Sequence, residues 1–182
     1  AIQLNPAFVD AQMNLGRMWL ALRCEQEASE VFETAVRLDP SLAAAHIELG
    51  RALATLGRCS DGLASCERAL RISPNNANAL ILHARILHLL ARYSEALTAS
   101  GRALDRDPNN TDAIITRVTV LLELDQTDDA IAGADRCIAL DPNKAEAYRC
   151  RARALQILGR HIEAIADYKK AIELAPGSDL AK

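Results

Sequence analysis

Apolar residues recur at intervals of three and four along nearly the whole chain, in blocks of about fourteen residues separated by short polar breaks. In Ala43–Leu56, AAAHIELGRALATL, the residues Ile47, Leu53 and Leu56 form one side, with small Gly50 among them. In Ile162–Ala175, IEAIADYKKAIELA, the same three-and-four spacing returns. Such spacing predicts α-helices with one buried stripe. The blocks also resemble one another: LGRHIEAIADYKKAIELAP (158–176) has the skeleton of LGRCSDGLASCERALRISP (56–74), and AIQLNP (1–6) nearly copies AIELAP (171–176).

The prolines set the period. Pro6, Pro40, Pro74, Pro108, Pro142 and Pro176 are each 34 residues from the next, and no proline falls elsewhere. With proline at position 32 of a 34-residue repeat, the chain divides into 9–42, 43–76, 77–110, 111–144 and 145–178. Residues 1–8 read as the end of a preceding repeat, and 179–182 as the start of a following helix. Each repeat is predicted to hold a first helix over positions 1 to about 14 and a second from about 18 to 31. Between them lies a turn carrying Gly57-Arg58, Ala91-Arg92 or Gly159-Arg160. Proline stops the second helix because it cannot continue the hydrogen-bond ladder. Ser41, Asn75, Asn109 and Asn143 follow the prolines and are expected to cap the next helix by accepting from its free N–H groups.

Small residues recur where two helices must approach. Position 8 is Gly16, Gly50, Ala84, Val118 and Ala152, position 20 is Ala28, Gly62, Ala96, Ala130 and Ala164, and position 27 is Ala35, Ala69, Ala103, Cys137 and Ala171. Trp19, Leu53, Leu87, Leu121 and Leu155 fill position 11. The 34-residue step, the three small positions and the proline resemble the tetratricopeptide repeat (TPR) family over essentially the whole chain. The resemblance implies an all-α fold: antiparallel helix-turn-helix repeats stacked into a right-handed superhelix, a solenoid with a concave groove, in which each repeat buries its face against its neighbours. Repeat 4 departs most, with Val118 at a small position and LDQTDD in its turn, and its helix pair is expected to splay slightly.

Composition changes this picture little. Aromatics are 3% of the 182 residues and the apolar half is mostly Ala and Leu, which suits helices. A net charge of −3 lacks the basic surplus of a nucleic-acid or anionic-membrane binder. No run of about 18 apolar residues predicts a membrane span, and no signal-peptide pattern is present. A cytoplasmic location is expected, although an opening inside a motif leaves room for an upstream targeting segment.

Catalytic chemistry is missing from the pattern. His46, His83, His88 and His161 form no His-Glu-x-x-His motif, and the glycines stand singly at repeat positions rather than in a phosphate loop. Asp125, Asp128 and Asp129 lack the ligand spacing of a calcium loop and read as a solvated turn. The cysteines are odd in number, scattered and free of Cys-x-x-Cys pairs, which predicts reduced thiols. Cys66 and Cys137 hold packing positions and read as inert, as do Trp19 and Tyr148, while Cys24 and Cys59 fall near turns. Neither an enzyme, a metal site nor a cofactor is expected.

The family resemblance directs attention to the groove, lined by the first helix of each repeat at positions 2, 5, 9, 12 and 13. Position 5 is Met13, Ile47, Ile81, Ile115 and Arg149, and position 9 is Arg17, Arg51, Arg85, Thr119 and Arg153. Positions four apart share a helical face. An apolar row beside an arginine row, broken at Thr119, is therefore expected to receive an acidic, partly apolar peptide or helix, since guanidinium forks grip carboxylates. The competing expectation pairs these arginines with Asp10, Glu48, Asp112, Glu123 or Glu146.

Position 6 (Asn14, Glu48, Leu82, Thr116, Cys150) does not fit the carboxylate clamp of chaperone-binding TPR domains, nor the Asn ladder of some long superhelices. The expected role is a protein–protein interaction scaffold. Two alternatives stand beside it: the docking or regulatory part of a larger enzyme, and a scaffold that self-assembles head to tail, the Ile162, Ile165, Ile172 and Leu174 flank meeting Ile2, Leu4 and Phe8 of another copy. RNA binding is disfavoured by acidity and by the absence of stacking aromatics in the groove.

Overall fold

The computed structural model describes residues 6–176, and among these there are ten α-helices and no strand. The chain divides into two compact units, meeting in sequence at Arg92 and Tyr93. The N-terminal unit carries α1 (Pro6–Ala21), α2 (Glu25–Leu38), α3 (Ala43–Thr55), α4 (Cys59–Ile72) and α5 (Ala77–Leu89). The C-terminal unit carries α6 (Tyr93–Arg106), α7 (Thr111–Glu123), α8 (Thr127–Leu140), α9 (Ala145–Ile157) and α10 (His161–Leu174). Within each unit every helix packs on the next in sequence, and successive first helices also touch: α1 on α3 and α3 on α5 in one unit, α7 on α9 in the other. No helix among the described residues is long and apolar enough to cross a membrane.

The turn inside each repeat is closed by one device. Cys24, Arg58, Arg92, Gln126 and Arg160 donate their backbone N–H to the carbonyls of Trp19, Leu53, Leu87, Leu121 and Leu155, at 2.9–3.0 Å. The residue before each donor is left-handed: Arg23 (φ 61°), Gly57 (79°), Ala91 (56°), Asp125 (56°) and Gly159 (73°). This is the Schellman ending of a helix, in which a residue of positive φ turns the chain and a 6→1 bond satisfies an orphan carbonyl. Only two of the five positions carry the glycine that adopts this region freely.

One detail differs from the sequence expectation. Capping falls one residue later than proposed. Asn76 and Asn110 accept from the N–H groups of Ala79 and Ala113 at 3.0 Å, and they are the N-caps. Ser41, Asn109 and Asn143 instead donate their own N–H to Asp39, Asp107 and Asp141, at 2.9–3.2 Å. An aspartate two residues back captures that N–H in an Asx turn around the proline, and the N-caps that follow Ser41 and Asn143, Leu42 and Lys144, supply no side-chain bond. α1 runs from Pro6, and proline suits a first helical position because it gives up only an N–H that would be unsatisfied anyway. The expected helix before it, residues 1–5, lies outside the described residues, as does the restart at 179–182.

The small positions bring helices together as expected. A Cβ placed on Gly62 would lie 2.8 Å from the Gly50 carbonyl oxygen, so α3 and α4 touch backbone to backbone. Phe32, fully buried, presses its ring where a Cβ of Gly16 would stand, 2.5 Å away. In repeat 4 the oversized Val118 is 1% exposed, and Gly133 makes room for it: a Cβ there would meet a Val118 methyl at 2.6 Å. Cores form on this frame, Met13, Phe32, Leu49 and Leu53 in one unit and Ile114, Val118, Leu121 and Leu122 in the other.

Gly62→Ala should destabilise the chain by about 1–3 kcal/mol in denaturant unfolding, because the opposing atom is backbone and cannot rotate away. Ala91→Gly should stabilise it by up to about 1 kcal/mol, since Ala91 holds a left-handed conformation that costs an alanine and not a glycine.

Candidate partner-binding face

The side chains at position 9 point outward along the first helices. In the N-terminal unit Arg17, Arg51 and Arg85 are exposed on α1, α3 and α5. Glu48 stands between the first two, 3.7 Å from Arg17 and 3.2 Å from Arg51. Arg85 has no ion pair or hydrogen bond among the described residues. In the C-terminal unit Thr119 breaks the row and turns its hydroxyl back to the Ile115 carbonyl at 2.9 Å. Arg153 on α9 reaches Glu123 on α7 at 3.0 Å. Of the carboxylates expected to neutralise the row, Glu48 and Glu123 do so, while Asp112 pairs with Lys144 at 2.6 Å.

The apolar row at position 5 is not displayed as expected. Met13, Ile47 and Ile81 are 4%, 5% and 7% exposed, part of the packing beneath the arginines rather than a surface beside them. Ile115 and Arg149 are half-buried. The exposed apolar groups on this face stand one turn further on, four residues after an arginine: Leu89 (60% exposed) after Arg85, and Ile157 (51%) after Arg153. Position 13 is among the groove positions that the family resemblance implies, and the pattern alone carried that much. What it could not carry was the burial of position 5, which follows from how closely the neighbouring helices sit.

A second polar cluster joins α8, α9 and α10. Arg151 forks onto both oxygens of Asp167 at 2.7 and 2.8 Å and reaches Asp135 at 2.6 Å, with Tyr148 5.7 Å beneath its guanidinium. Asp167 is 8% exposed. These bonds hold the Arg151 proton far above the usual arginine range. An open cleft of about 430 Å³ beside it is lined by Ile131, Leu155 and Ala166 together with the paired Arg160 and Glu163. Every charge in the cluster is matched except one carboxylate's worth, and the arginine's donors are directed at protein rather than at the opening. The arrangement fastens three helices.

The thiols divide by burial. Cys66, Cys137 and Cys150 are buried, Cys24 and Cys59 half-buried, and all are free. Burial pushes the Cys66 thiol up to about 12 and Cys137 up to about 11, and raises Cys150 as well. These sulfurs stay protonated and unreactive near neutrality.

Repeated helix hairpins closed by Schellman turns, with small residues at the crossings, define an α-helical repeat protein of the solenoid class. Comparison with family models then agrees in detail: tetratricopeptide repeat models match residues 26–77 and 47–111, 87–154, and 145–178. The chain belongs to the tetratricopeptide repeat family. No curated protein matches it at a significant level. Among solved structures it is similar to TTC0263, a thermophilic TPR protein of Thermus thermophilus, at 24% identity over 95% of both chains with a TM-score of 0.86. It is similar to YrrB, described as a TPR protein with an unusual peptide-binding site, at 22% identity over 99% of this chain and 93% of that one, TM-score 0.68. MamA residues 41 to the end from Desulfovibrio magneticus RS-1 are similar at 19% identity over 94% and 97%, TM-score 0.75.

Two outcomes follow for the clusters above. Arg151→Ala should cost about 3 kcal/mol in urea unfolding, because it strands a buried carboxylate, and adding Asp167→Leu should recover part of the loss in a double-mutant cycle. For the thiols, the folded pKa lies above the unfolded value. Their contribution is therefore whole below about pH 9 and is lost as pH rises toward 11–12, where the unfolded chain alone sheds the protons. Unfolding titrations between about pH 8 and 10.5 should show stability falling, with a shallower fall in Cys66→Ala.

Proposed function

We propose that this chain is a protein-interaction scaffold that holds a peptide or helical segment of a partner, acidic and partly apolar, against its first-helix face. The observation that carries the reading is the exposed arginine row on α1, α3 and α5, which a single glutamate opposes. A guanidinium grips a carboxylate through two parallel bonds and keeps its charge at any physiological pH, so a row of them selects acidic chains. The fold supports the reading as well, since YrrB, its structural neighbour, is described as having a peptide-binding site. Among the described residues the carboxylates of this face, Glu48 and Glu123, are held in ion pairs with its arginines, which favours recognition over catalysis. An intact-protein pull-down, with peptide mapping of the bound segment, provides the ligand. Arg51→Glu with Arg85→Glu should weaken its affinity about tenfold or more and flatten its dependence on salt. Unchanged affinity would mean that the row serves only the protein's own carboxylates.

One observation favours self-association as a second reading. Ile131 and Ile138 on α8 pack against the core formed with α9, whereas their counterparts one repeat later, Ile165 and Ile172 on α10, are 54% and 45% exposed, and Ile162 is 85% exposed. Phe8, Leu15 and Met18 are exposed on α1 and Leu22 just after it, while Ile2 and Leu4 lie outside the described residues. Head-to-tail stacking of α10 on the α1 of a second copy would cover both faces. Light scattering of the 182-residue chain should then show a mass rising with concentration, and Ile165→Asp should return it to the monomer. A constant monomer mass ends this reading.

A further inference from the structure

The two units treat equivalent arginines differently. Arg153 in repeat 5 is gripped at 3.0 Å by Glu123, which ends α7 in the repeat before. The residues two repeats earlier are Arg85 and Thr55, since 153 − 68 = 85 and 123 − 68 = 55. Thr55 ends α3 as Glu123 ends α7, but its hydroxyl is turned back onto the Arg51 and Ala52 carbonyls, at 3.2 and 2.8 Å. A threonine there offers no charge, and Arg85 goes without the carboxylate that its counterpart has. Beside each arginine, one turn on, stands an exposed apolar residue, Leu89 or Ile157. The C-terminal unit thus contains a filled version of an arrangement that the N-terminal unit leaves open.

We infer that Arg85 and Leu89 form the anchoring pocket of the face, taking from a partner the carboxylate that Glu123 supplies internally to Arg153. The inference rests on the reading of this face as the partner-binding surface, and it names the partner's chemistry. Four residues along a helix rise about 6 Å. In an extended peptide, side chains two apart share a face and are about 6.6 Å apart. The segment that fits carries an aspartate or glutamate on Arg85 and an aliphatic or aromatic residue two places away on Leu89. Arg17 and Arg51, already sharing Glu48, steer the acidic chain toward the face and contribute less to holding it.

The pocket can be closed by copying the protein's own solution. Thr55→Glu places at the end of α3 the carboxylate that the C-terminal unit has, and Arg51, which it could also meet, is already held by Glu48. The probe is a phage-displayed library of random twelve-residue peptides, selected on the unaltered 182-residue chain at low salt. The expected result is enrichment of an acidic residue two places from an apolar one. A synthetic peptide carrying that motif should bind Thr55→Glu and Arg85→Gln about tenfold more weakly or worse, and Thr55→Gln within about twofold of the unaltered chain. Leu89→Ser should lose the preference at the apolar position while keeping that at the acidic one. Thermal melts establish that each variant is folded, so a loss of binding reports the pocket. An enriched motif without a carboxylate, or full binding by Thr55→Glu or Arg85→Gln, overturns this inference and leaves the face as a general acidic-peptide surface. Failure to enrich any motif overturns the face itself as a peptide site, and this inference with it.

Discussion

How near two helices can come decides everything else in this protein. A hairpin of alternating Ala, Leu and polar residues buries too little by itself, so each repeat depends on its neighbours for a core. That dependence is met only if backbones approach to contact, and they do so where Gly50 faces Gly62 and where Gly16 yields to Phe32. The positions tolerate trade: repeat 4 carries a valine at the crossing and accommodates it with Gly133 on the opposite helix. At that crossing a larger side chain on one helix is offset by a glycine on the other.

Close approach then sets the chemistry of the surface. With successive first helices in contact, position 5 sinks out of reach and Met13, Ile47 and Ile81 become packing. Arginine at position 9 is long enough to emerge over that floor, its aliphatic stem covering apolar surface while its head stays wet. The same proximity lets one glutamate serve two arginines on adjacent helices in the N-terminal unit and lets Glu123 cross to Arg153 in the other. Arg151 shows a half-buried form of this arrangement, with one guanidinium fastening α9 to both of its neighbours through exposed Asp135 and buried Asp167. Exposed pairs of this kind contribute little to stability singly. Their effect is on charge: they determine which arginines remain available to another molecule.

The sequence by itself determined the helices and the family. The proline ladder and the small residues at positions 8, 20 and 27 are covalent facts with one local meaning each, and helical periodicity survives any arrangement of neighbours. It also put Arg17, Arg51, Arg85 and Arg153 at equivalent helix positions, with Thr119 breaking the row. Local hydrogen bonding was less legible. Asn76 and Asn110, rather than the residues just after proline, took the caps, and in the second case Asp107 binds the backbone N–H of Asn109 beside the proline. Only the tertiary structure decided which members of the face are accessible: the isoleucines buried, Leu89 and Ile157 displayed, Arg17 and Arg51 shared by Glu48, Arg153 satisfied, Arg85 left open. The reason is physical. Periodicity reports direction around one helix axis, whereas exposure and ion pairing depend on distances to side chains a full repeat away, and those distances exist only once the helices have packed.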